Sequence, residues 1–166
     1  QKPDFSGSNL LAISFGTESY FIDSEKQIWI PSKEVSNLEI TGLYKVRKSS
    51  TNIRETSEDP IYQSSISNVE KIAIKIPKGT YSVTVLISEL NKDQNQIYEL
   101  NKKQNSNNQN NHNSNIIING KQMPFDKIRP FYKKDITVEI NVKNKLIIES
   151  QTSELFSISG LLIKKK

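Results

Sequence analysis

Residues Lys71–Leu90 read KIAIKIPKGTYSVTVLISEL, and this stretch decides the expected fold. In Lys71–Ile76 every second residue is isoleucine, and a period of two is typical of a half-buried strand. Pro77-Lys78-Gly79 interrupts the pattern before Tyr81–Leu90 resumes it as a β-branched run. Two strands joined through Pro-x-Gly form a β-arch or a hairpin that needs a second apolar layer. The side chains expected to face that layer are Ile74, Ile76, Tyr81, Val83 and Val85.

The other apolar segments are short, and turn residues separate them. They are Leu10–Phe15, Tyr20–Ile22, Gln27–Ile30, Asn37–Val46, Ile61–Ile66, Asn115–Ile118, Ile136–Val142, Leu146–Glu149 and Phe156–Ile163. Pro31 predicts an edge strand or a loop entering the sheet at Ile28–Ile30, since proline cannot donate to a central ladder. Asn119-Gly120 predicts a tight hairpin turn, whereas Gly42 and Gly160 interrupt their strands. Many short strands without helical periodicity predict an all-β fold, an antiparallel β-sandwich with a jelly roll or barrel as the alternative.

The length of 166 residues indicates a single domain. Residues 1–9 are polar and contain Pro3 and Gly7, so we expect a linker or tail, with the sandwich spanning 10–166. Asn101–Asn115 is nearly all Asn, Gln, Lys and Ser, and predicts a flexible Asn-rich loop between strands. The chain begins at Gln1 without a methionine, so we expect a fragment or a processed chain.

Composition excludes several classes of function. There is no cysteine, so neither disulfides nor thiolate metal sites are available. The net charge is +5, but the lysines are scattered apart from Lys164–Lys166, so we expect no nucleic-acid partner. No apolar run approaches the roughly 20 residues of a membrane-spanning helix, so we expect no membrane span.

The candidates for catalysis are weak. His112 is the only histidine and lies inside the Asn-rich segment, where a catalytic base or metal ligand would lack rigid support. Carboxylates such as Asp23, Glu89 and Asp135 lie near predicted loops or strand ends, but a glycosidase pair depends on their separation in space. We expect surface acids and no cofactor, with a structural calcium ion as the alternative although the acids lack EF-hand spacing.

Aromatic residues near predicted strand ends indicate a possible binding site. They are Tyr20, Phe21, Trp29, Tyr44, Tyr62, Phe131 and Tyr132. An aromatic ring beside an amide or carboxylate packs on the apolar face of a sugar and reads its hydroxyl groups. For any single ring we expect burial in the core, whereas exposure of Trp29 and Tyr62 in one cleft would favour binding.

The order of short motifs resembles a known family. The motifs are LLAISFG from Leu10, Trp29-Ile30-Pro31, Gly42-Leu43-Tyr44, Asp59-Pro60-Ile61-Tyr62-Gln63-Ser64, Ile76-Pro77-Lys78-Gly79-Thr80-Tyr81, Ile118-Asn119-Gly120 and Ser159-Gly160-Leu161. Together they resemble the malectin-like domain, most closely the version at the C-terminus of Bacteroidetes family-two glycoside hydrolases. The match spans residues 10 to 164.

This resemblance implies a galactose-binding-like β-sandwich that binds sugar through loop aromatics and an acidic residue. Tyr62 matches one aromatic position and Trp29 falls near another, so both are expected to stack on sugar. Gln63, Asp59 and Tyr44 are the expected polar partners, and Asp135 is the candidate for the acidic residue. Leu90-Asn91 stands where the family has an aromatic pair.

The function expected on this basis is a non-catalytic carbohydrate-binding accessory module of a secreted β-galactosidase-type glycoside hydrolase. The resemblance implies a periplasmic or cell-surface location, and its partners would be a galactoside or glucoside and the catalytic domain of the parent enzyme. One alternative is a structural module that packs on the parent or mediates oligomerisation. Another is a free-standing enzyme, which would require two carboxylates facing each other in a cleft.

Overall fold

The computed structural model describes residues 10–48, 59–88, 114–125, 132–150 and 156–166. The predicted linker 1–9 and most of the Asn-rich segment lie outside these residues. The strands are β1 Leu10–Ser14, β2 Phe21–Ile22, β3 Ile28–Pro31, β4 Leu38–Thr41, β5 Lys45–Lys48, β6 Ser64–Val69, β7 Lys71–Lys75, β8 Gly79–Ser88, β9 Ser114–Ile118, β10 Lys121–Phe125, β11 Lys133–Val142, β12 Lys145–Ser150, β13 Phe156–Ile158 and β14 Gly160–Lys165. A 3-10 turn covers Ser32–Glu34, and one helical turn, α1, covers Asp59–Tyr62.

The strands β7 and β8 form a β-arch, because they belong to different sheets. β7 lies in a five-stranded sheet of order β10-β9-β12-β7-β4, and β8 lies in a six-stranded sheet of order β11-β8-β14-β1-β3-β2. The two sheets face each other across one hydrophobic core. All five side chains that the sequence predicts to face inward are buried. The all-β sandwich prediction is therefore confirmed.

The first strands of the six-stranded sheet depart from simple antiparallel order. β3 runs parallel to β1, with Ile30 opposite Ile13 and Pro31 opposite Ser14, and pairs with β2 on its other side. The edge position predicted for Ile28–Ile30 is therefore wrong, since β3 is paired on both sides. Proline has no backbone N–H to donate. The sheet accommodates Pro31 because it is the last residue of β3, so the hydrogen-bond ladder does not continue beyond it.

The remaining strands close one side of the core. The sheet β13-β6-β5 contributes Ile66, Val69, Phe156 and Ile158 to the main core. The predicted strand Asn37–Val46 divides at Gly42 into β4 and β5, which lie in different sheets. Likewise, the chain passes from the three-stranded to the six-stranded sheet at Gly160. Both glycine breaks predicted from the sequence are confirmed.

One local prediction is wrong in a way that matters for function. Residues Ile61 and Tyr62, predicted to begin a strand, end the helical turn α1. The turn packs against the face of the six-stranded sheet that looks away from the main core, where Ala12 and Leu86 point outward between inward-facing neighbours. The six-stranded sheet is consequently buried on both faces at this position.

Candidate functional site

The candidate site lies at the end of the sandwich where β8 ends and β11 begins, which we call the upper end. Here Ser88, the last residue of β8, pairs with Lys133, the first residue of β11. In the same sheet Gly160 of β14 pairs with both Ser14 and Leu86. The tips of four strands and the turn α1 therefore meet in one place.

Between α1 and the sheet lies a small apolar cluster to which both contribute, and which we call the outer cluster. It consists of Ala12, Trp29, Ile61, Tyr62 and Leu86, with Phe21 and Leu162 packed against it. Trp29 exposes 3% of its surface and Tyr62 exposes 4%. The two aromatic residues predicted to bind sugar are thus brought together. Both are buried, as expected for any single ring of this set, because α1 folds over the outer face of the sheet, and the two rings do not form the exposed cleft that would favour binding.

Gly160 makes room for the indole ring of Trp29. A Cβ atom at this position would lie 3.1 Å from Trp29 Cζ3 and 3.5 Å from Ile61 Cγ2. Carbon atoms in good contact stand about 3.5–4.0 Å apart, so a side chain here would press on the Trp29 ring and make an ordinary contact with Ile61. The outer cluster therefore depends on a glycine in β14.

The indole of Trp29 is also held at its polar edge. Its Nε1–H donates to Asp23 Oδ2 at 3.0 Å, while Asp23 Oδ1 accepts from the backbone N–H groups of Glu25 and Gln27, each at 2.9 Å. Burial raises the pKa of the Asp23 carboxyl, but these hydrogen bonds outweigh burial and lower its pKa below the ordinary value. The Asp23 carboxylate thus stabilises the turn between β2 and β3 and holds the indole ring of Trp29 in place.

Tyr62 connects the outer cluster to a polar group at the surface. Its hydroxyl donates to Asp135 Oδ1 at 2.7 Å, and Lys133 Nζ donates to Asp135 Oδ2 at 2.6 Å. The same ammonium group lies 5.4 Å from the centroid of the Tyr62 ring, within the range of a cation–π contact. The side chains of Lys133 and Asp135 are 19% and 33% exposed. Both charges are therefore held in place but remain within reach of a ligand.

A buried serine pair fixes the backbone of Tyr62. Ser88 Oγ donates to the carbonyl oxygen of Tyr62 at 2.7 Å and lies 2.6 Å from Ser159 Oγ. Because Ser88 is the last residue of β8 and pairs with Lys133, this bond ties α1 to the strand end beside Lys133. The Tyr62 ring and its hydroxyl are positioned from both sides.

The other predicted site residues have different surroundings. Gln63 follows Tyr62 and is half-buried. Tyr44 lies between β4 and β5 and is 45% exposed. Asp59 begins α1, and its side chain lies outside the described part of the chain. The aromatic residue Phe131 likewise lies outside it. Their roles in sugar binding stay predictions.

Sequence reasoning missed Lys133 and gave Asp135 only a minor place. The available signal was strand periodicity, since Lys133, Asp135 and Thr137 alternate with the apolar positions that follow in β11 and must share its outer face. Their proximity to Tyr62 has no local sequence signal, because 73 residues separate Tyr62 from Asp135.

Three of the described acids have a pKa that is shifted downwards. The pKa is lowered for Glu18 by hydrogen bonding to Lys33 and for Glu139 by hydrogen bonding to Lys166, as it is for Asp23. A glycosidase acid needs the opposite shift. Among the described residues, no group of three or more acids and histidines is arranged to hold a metal ion. No helix within those ranges has the length and apolar character to span a membrane.

Comparison with known proteins shows the fold. The crystal structure of Bacteroides uniformis β-glucuronidase matches 95% of this chain with a TM-score of 0.73 and 18% identity, over 18% of its own length. The extracellular domain of ANXUR2 from Arabidopsis thaliana matches 95% of the chain with a TM-score of 0.63 and 11% identity, over 41% of its length. The plant receptor-like kinase FER matches the same share with a TM-score of 0.61 and 13% identity, over 42% of its length.

No protein-family model and no curated protein sequence matches this chain. The chain spans less than half of each of these solved structures, and under a fifth of the glucuronidase. It therefore has the β-sandwich fold of a part of a bacterial glycoside hydrolase and of plant receptor ectodomains, in agreement with the malectin-like motifs.

Proposed function

We propose that this chain is a non-catalytic carbohydrate-binding accessory module of a secreted glycoside hydrolase, and that it binds sugar at the upper end of the sandwich. The observation that supports this most is the Tyr62–Asp135–Lys133 cluster. It presents an oriented carboxylate and an oriented ammonium group, both partly exposed, on a rigid aromatic support. Such a combination can form hydrogen bonds with paired hydroxyl groups of a sugar ring.

The roles follow from the chemistry of each group. Asp135 accepts hydrogen bonds from two adjacent sugar hydroxyls, and Lys133 donates to a third oxygen. Gln63, which can both donate and accept, follows Tyr62 in the chain and is the further polar partner. Tyr62 positions Asp135 through its hydroxyl, and Trp29 supports Tyr62 from below instead of stacking directly on sugar, because its ring is buried.

The structural likeness to part of a β-glucuronidase supports a parent enzyme that cleaves glycosides. In that setting the module would hold the enzyme near its polysaccharide, outside the cell or in the periplasm. A β-galactosidase-type parent, as the motifs imply, belongs to the same proposal.

The test is titration of the chain with neutral galactosides and glucosides, comparing two variants that each remove one carboxylate charge. Asp135→Asn should weaken binding by at least about tenfold, since a charge-assisted hydrogen bond contributes roughly 1.5–3 kcal/mol. Glu139→Gln is the matched control, because Glu139 lies on the same strand and is paired with Lys166 in the same manner. It should bind as the unmodified chain does.

Tyr62→Phe provides a second test of the site. It removes only the hydroxyl that orients Asp135, so we expect weaker binding with an unchanged fold by circular dichroism. Equal affinity of Asp135→Asn and Glu139→Gln for a sugar that binds would refute this location. Absence of binding to every neutral glycoside, together with unaltered activity of the parent enzyme lacking this module, would refute the function.

A packing module is the second candidate, and exposed apolar residues on the β2–β3 hairpin favour it. Tyr20, Ile22 and Ile28 are all exposed, and β2 forms an edge of its sheet. A partner domain lying on this hairpin would bury them. Substitution of Ile22 and Ile28 by threonine would then reduce the thermal stability of the parent enzyme while leaving sugar binding by the chain unchanged.

A further inference from the structure

The turn between β9 and β10 consists of Asn119 and Gly120, the only Asn-Gly pair in the chain. Both residues are exposed, and both have a positive φ, 47° for Asn119 and 85° for Gly120. Positive φ at both central residues is characteristic of a type I′ hairpin turn, which the Asn-Gly pair favours. The turn lies beside the start of β12, at the end of the sandwich opposite the candidate site.

The side-chain amide of Asn119 continues the hydrogen-bond ladder of β12 beyond the end of β9. The last residue of β9, Ile118, pairs with Ile148. One step further, the Asn119 backbone N–H donates to the Ile147 carbonyl oxygen at 2.9 Å, and the Ile147 N–H donates to Asn119 Oδ1 at 2.6 Å. Asn119 Nδ2 donates to the Lys145 carbonyl oxygen at 3.0 Å. A primary amide carries a donor and an acceptor as a peptide group does, so it satisfies two backbone groups of β12 that β9 no longer reaches.

The same amide lies next to a nitrogen that can attack it. In deamidation, the backbone nitrogen of Gly120 attacks Cγ of Asn119. The new N–Cγ bond forms as the Cγ–Nδ2 bond breaks, and the amide proton of Gly120 leaves with Nδ2 as ammonia. Water then opens the resulting succinimide ring to give aspartate or isoaspartate. Gly120 has no side chain to hinder this approach, and even a Cβ at its position would meet no atom within 4 Å.

The folded structure opposes the attack through β12. The Asn119 amide must turn its carbonyl carbon toward the Gly120 nitrogen, but hydrogen bonds to Ile147 and Lys145 hold both ends of the amide. Both bonds have to break before the ring can close. Neither product retains Nδ2, so the bond to the Lys145 carbonyl oxygen is lost in both, and each product adds a negative charge to the turn.

We propose that Asn119 is a site of spontaneous deamidation, and that the reaction proceeds only after the turn between β9 and β10 detaches locally from β12. The modification needs water as its only co-reactant. It is irreversible and removes one of the bonds that attach the turn, so it accumulates with the age of the protein. This inference is independent of the proposed function, because the turn lies opposite the Tyr62–Asp135–Lys133 cluster.

The first experiment measures the rate of the modification. The chain is incubated in mildly alkaline buffer, and aspartate and isoaspartate at position 119 are quantified by fragmentation mass spectrometry. The reference is a synthetic peptide of residues 116–125, which contains the same Asn-Gly pair without β12. We expect the folded chain to react at least about fivefold more slowly than the peptide, because two hydrogen bonds must open first. Equal rates would overturn the protection by β12, and a folded chain that never reacts during prolonged incubation would overturn the site.

Two isoleucine variants separate local detachment from global unfolding. Ile118→Val removes one carbon beside Asn119, and Ile163→Val removes one from β14 in the other sheet, where both isoleucines are fully buried. Valine is β-branched like isoleucine, so the reactive pair keeps a similar neighbour. We expect Ile118→Val to deamidate at least about twofold faster than the unmodified chain, and Ile163→Val to react at the unmodified rate. Equal rates for the two variants would overturn local detachment as the controlling step.

Hydrogen exchange of the Ile147 N–H provides an independent measurement of the same opening. This N–H is bonded to Asn119 Oδ1, so it exchanges only when the amide has left β12. Ile118→Val should therefore raise the exchange rate of the Ile147 N–H by the same factor as the deamidation rate. Faster deamidation with unchanged exchange at Ile147 would show that the reaction does not require detachment, and would refute the proposed mechanism.

Discussion

Substitution of Gly160 by alanine tests the packing that supports the candidate site. The added Cβ would lie 3.1 Å from Trp29 Cζ3, 3.4 Å from the carbonyl oxygen of Ile13 and 3.5 Å from Ile61 Cγ2. The indole cannot withdraw freely, because its Nε1–H is bonded to Asp23 and its ring is buried. Overpacking of this kind costs about 1–3 kcal/mol of unfolding free energy.

Gly79→Ala is the matched control. A Cβ at Gly79 would make only ordinary contacts, the nearest being 3.5 Å from Lys165 Cε. Both substitutions lower the conformational entropy of the unfolded chain to a similar extent, so the difference in unfolding free energy between them isolates the close contact with Trp29. We expect a lower unfolding temperature for Gly160→Ala than for Gly79→Ala. The difference should be about 2–4 °C for each kcal/mol of unfolding free energy that is lost.

The assays are thermal and urea denaturation. In both, unfolding is monitored by circular dichroism and by the fluorescence emission of Trp29, the only tryptophan in the chain. We expect the emission of the folded state to shift for Gly160→Ala but not for Gly79→Ala. Adding Trp29→Phe should recover part of the lost stability in the Gly160→Ala background, giving a coupling of about 0.5 kcal/mol or more. Equal stability of the two alanine variants with identical emission would refute the reasoning.

Two further predictions concern the turns next to this region. Gly16→Ala should destabilise the fold by about 2–5 kcal/mol in urea denaturation, because the residue has φ +81 and its Cβ would lie 2.5 Å from the carbonyl oxygen of Ser65; a loss below about 1 kcal/mol would contradict this. Folding lowers the pKa of the Asp23 carboxyl below its ordinary value of 3.8, so the carboxylate stabilises the fold above that pH, and this stabilisation is lost as the pH falls through the lower pKa of the folded state. Asp23→Asn should therefore be less stable than the unmodified chain at pH 7, and the difference should narrow between pH 4 and lower pH; a constant difference in unfolding free energy across this range would contradict the assignment.

Much of the fold was predictable because strand periodicity is a local property. The alternation in Lys71–Ile76 and Ile136–Val142 identified which side chains face the core, and the structure buries Ile72, Ile74, Val138 and Ile140 accordingly. The strand interruptions at Gly42 and Gly160 were predictable for the same reason, because they depend on the local conformation of glycine. Partner strands were not predictable in the same way, since alternation does not say which strand lies beside another. The parallel pairing of β3 with β1 therefore appears only in the structure.

The sequence by itself determined the all-β sandwich, its inward-facing residues and the motif that contains Tyr62, because backbone preference and the two-residue period depend only on neighbours in the chain. Only the tertiary structure decided that α1 covers the outer face, that Trp29 and Tyr62 are buried there, and that Asp135 and Lys133 meet the Tyr62 hydroxyl. The physical reason is that burial and hydrogen bonding depend on distances in space. Segments far apart in the chain meet at the upper end of the sandwich, and no local pattern encodes that meeting.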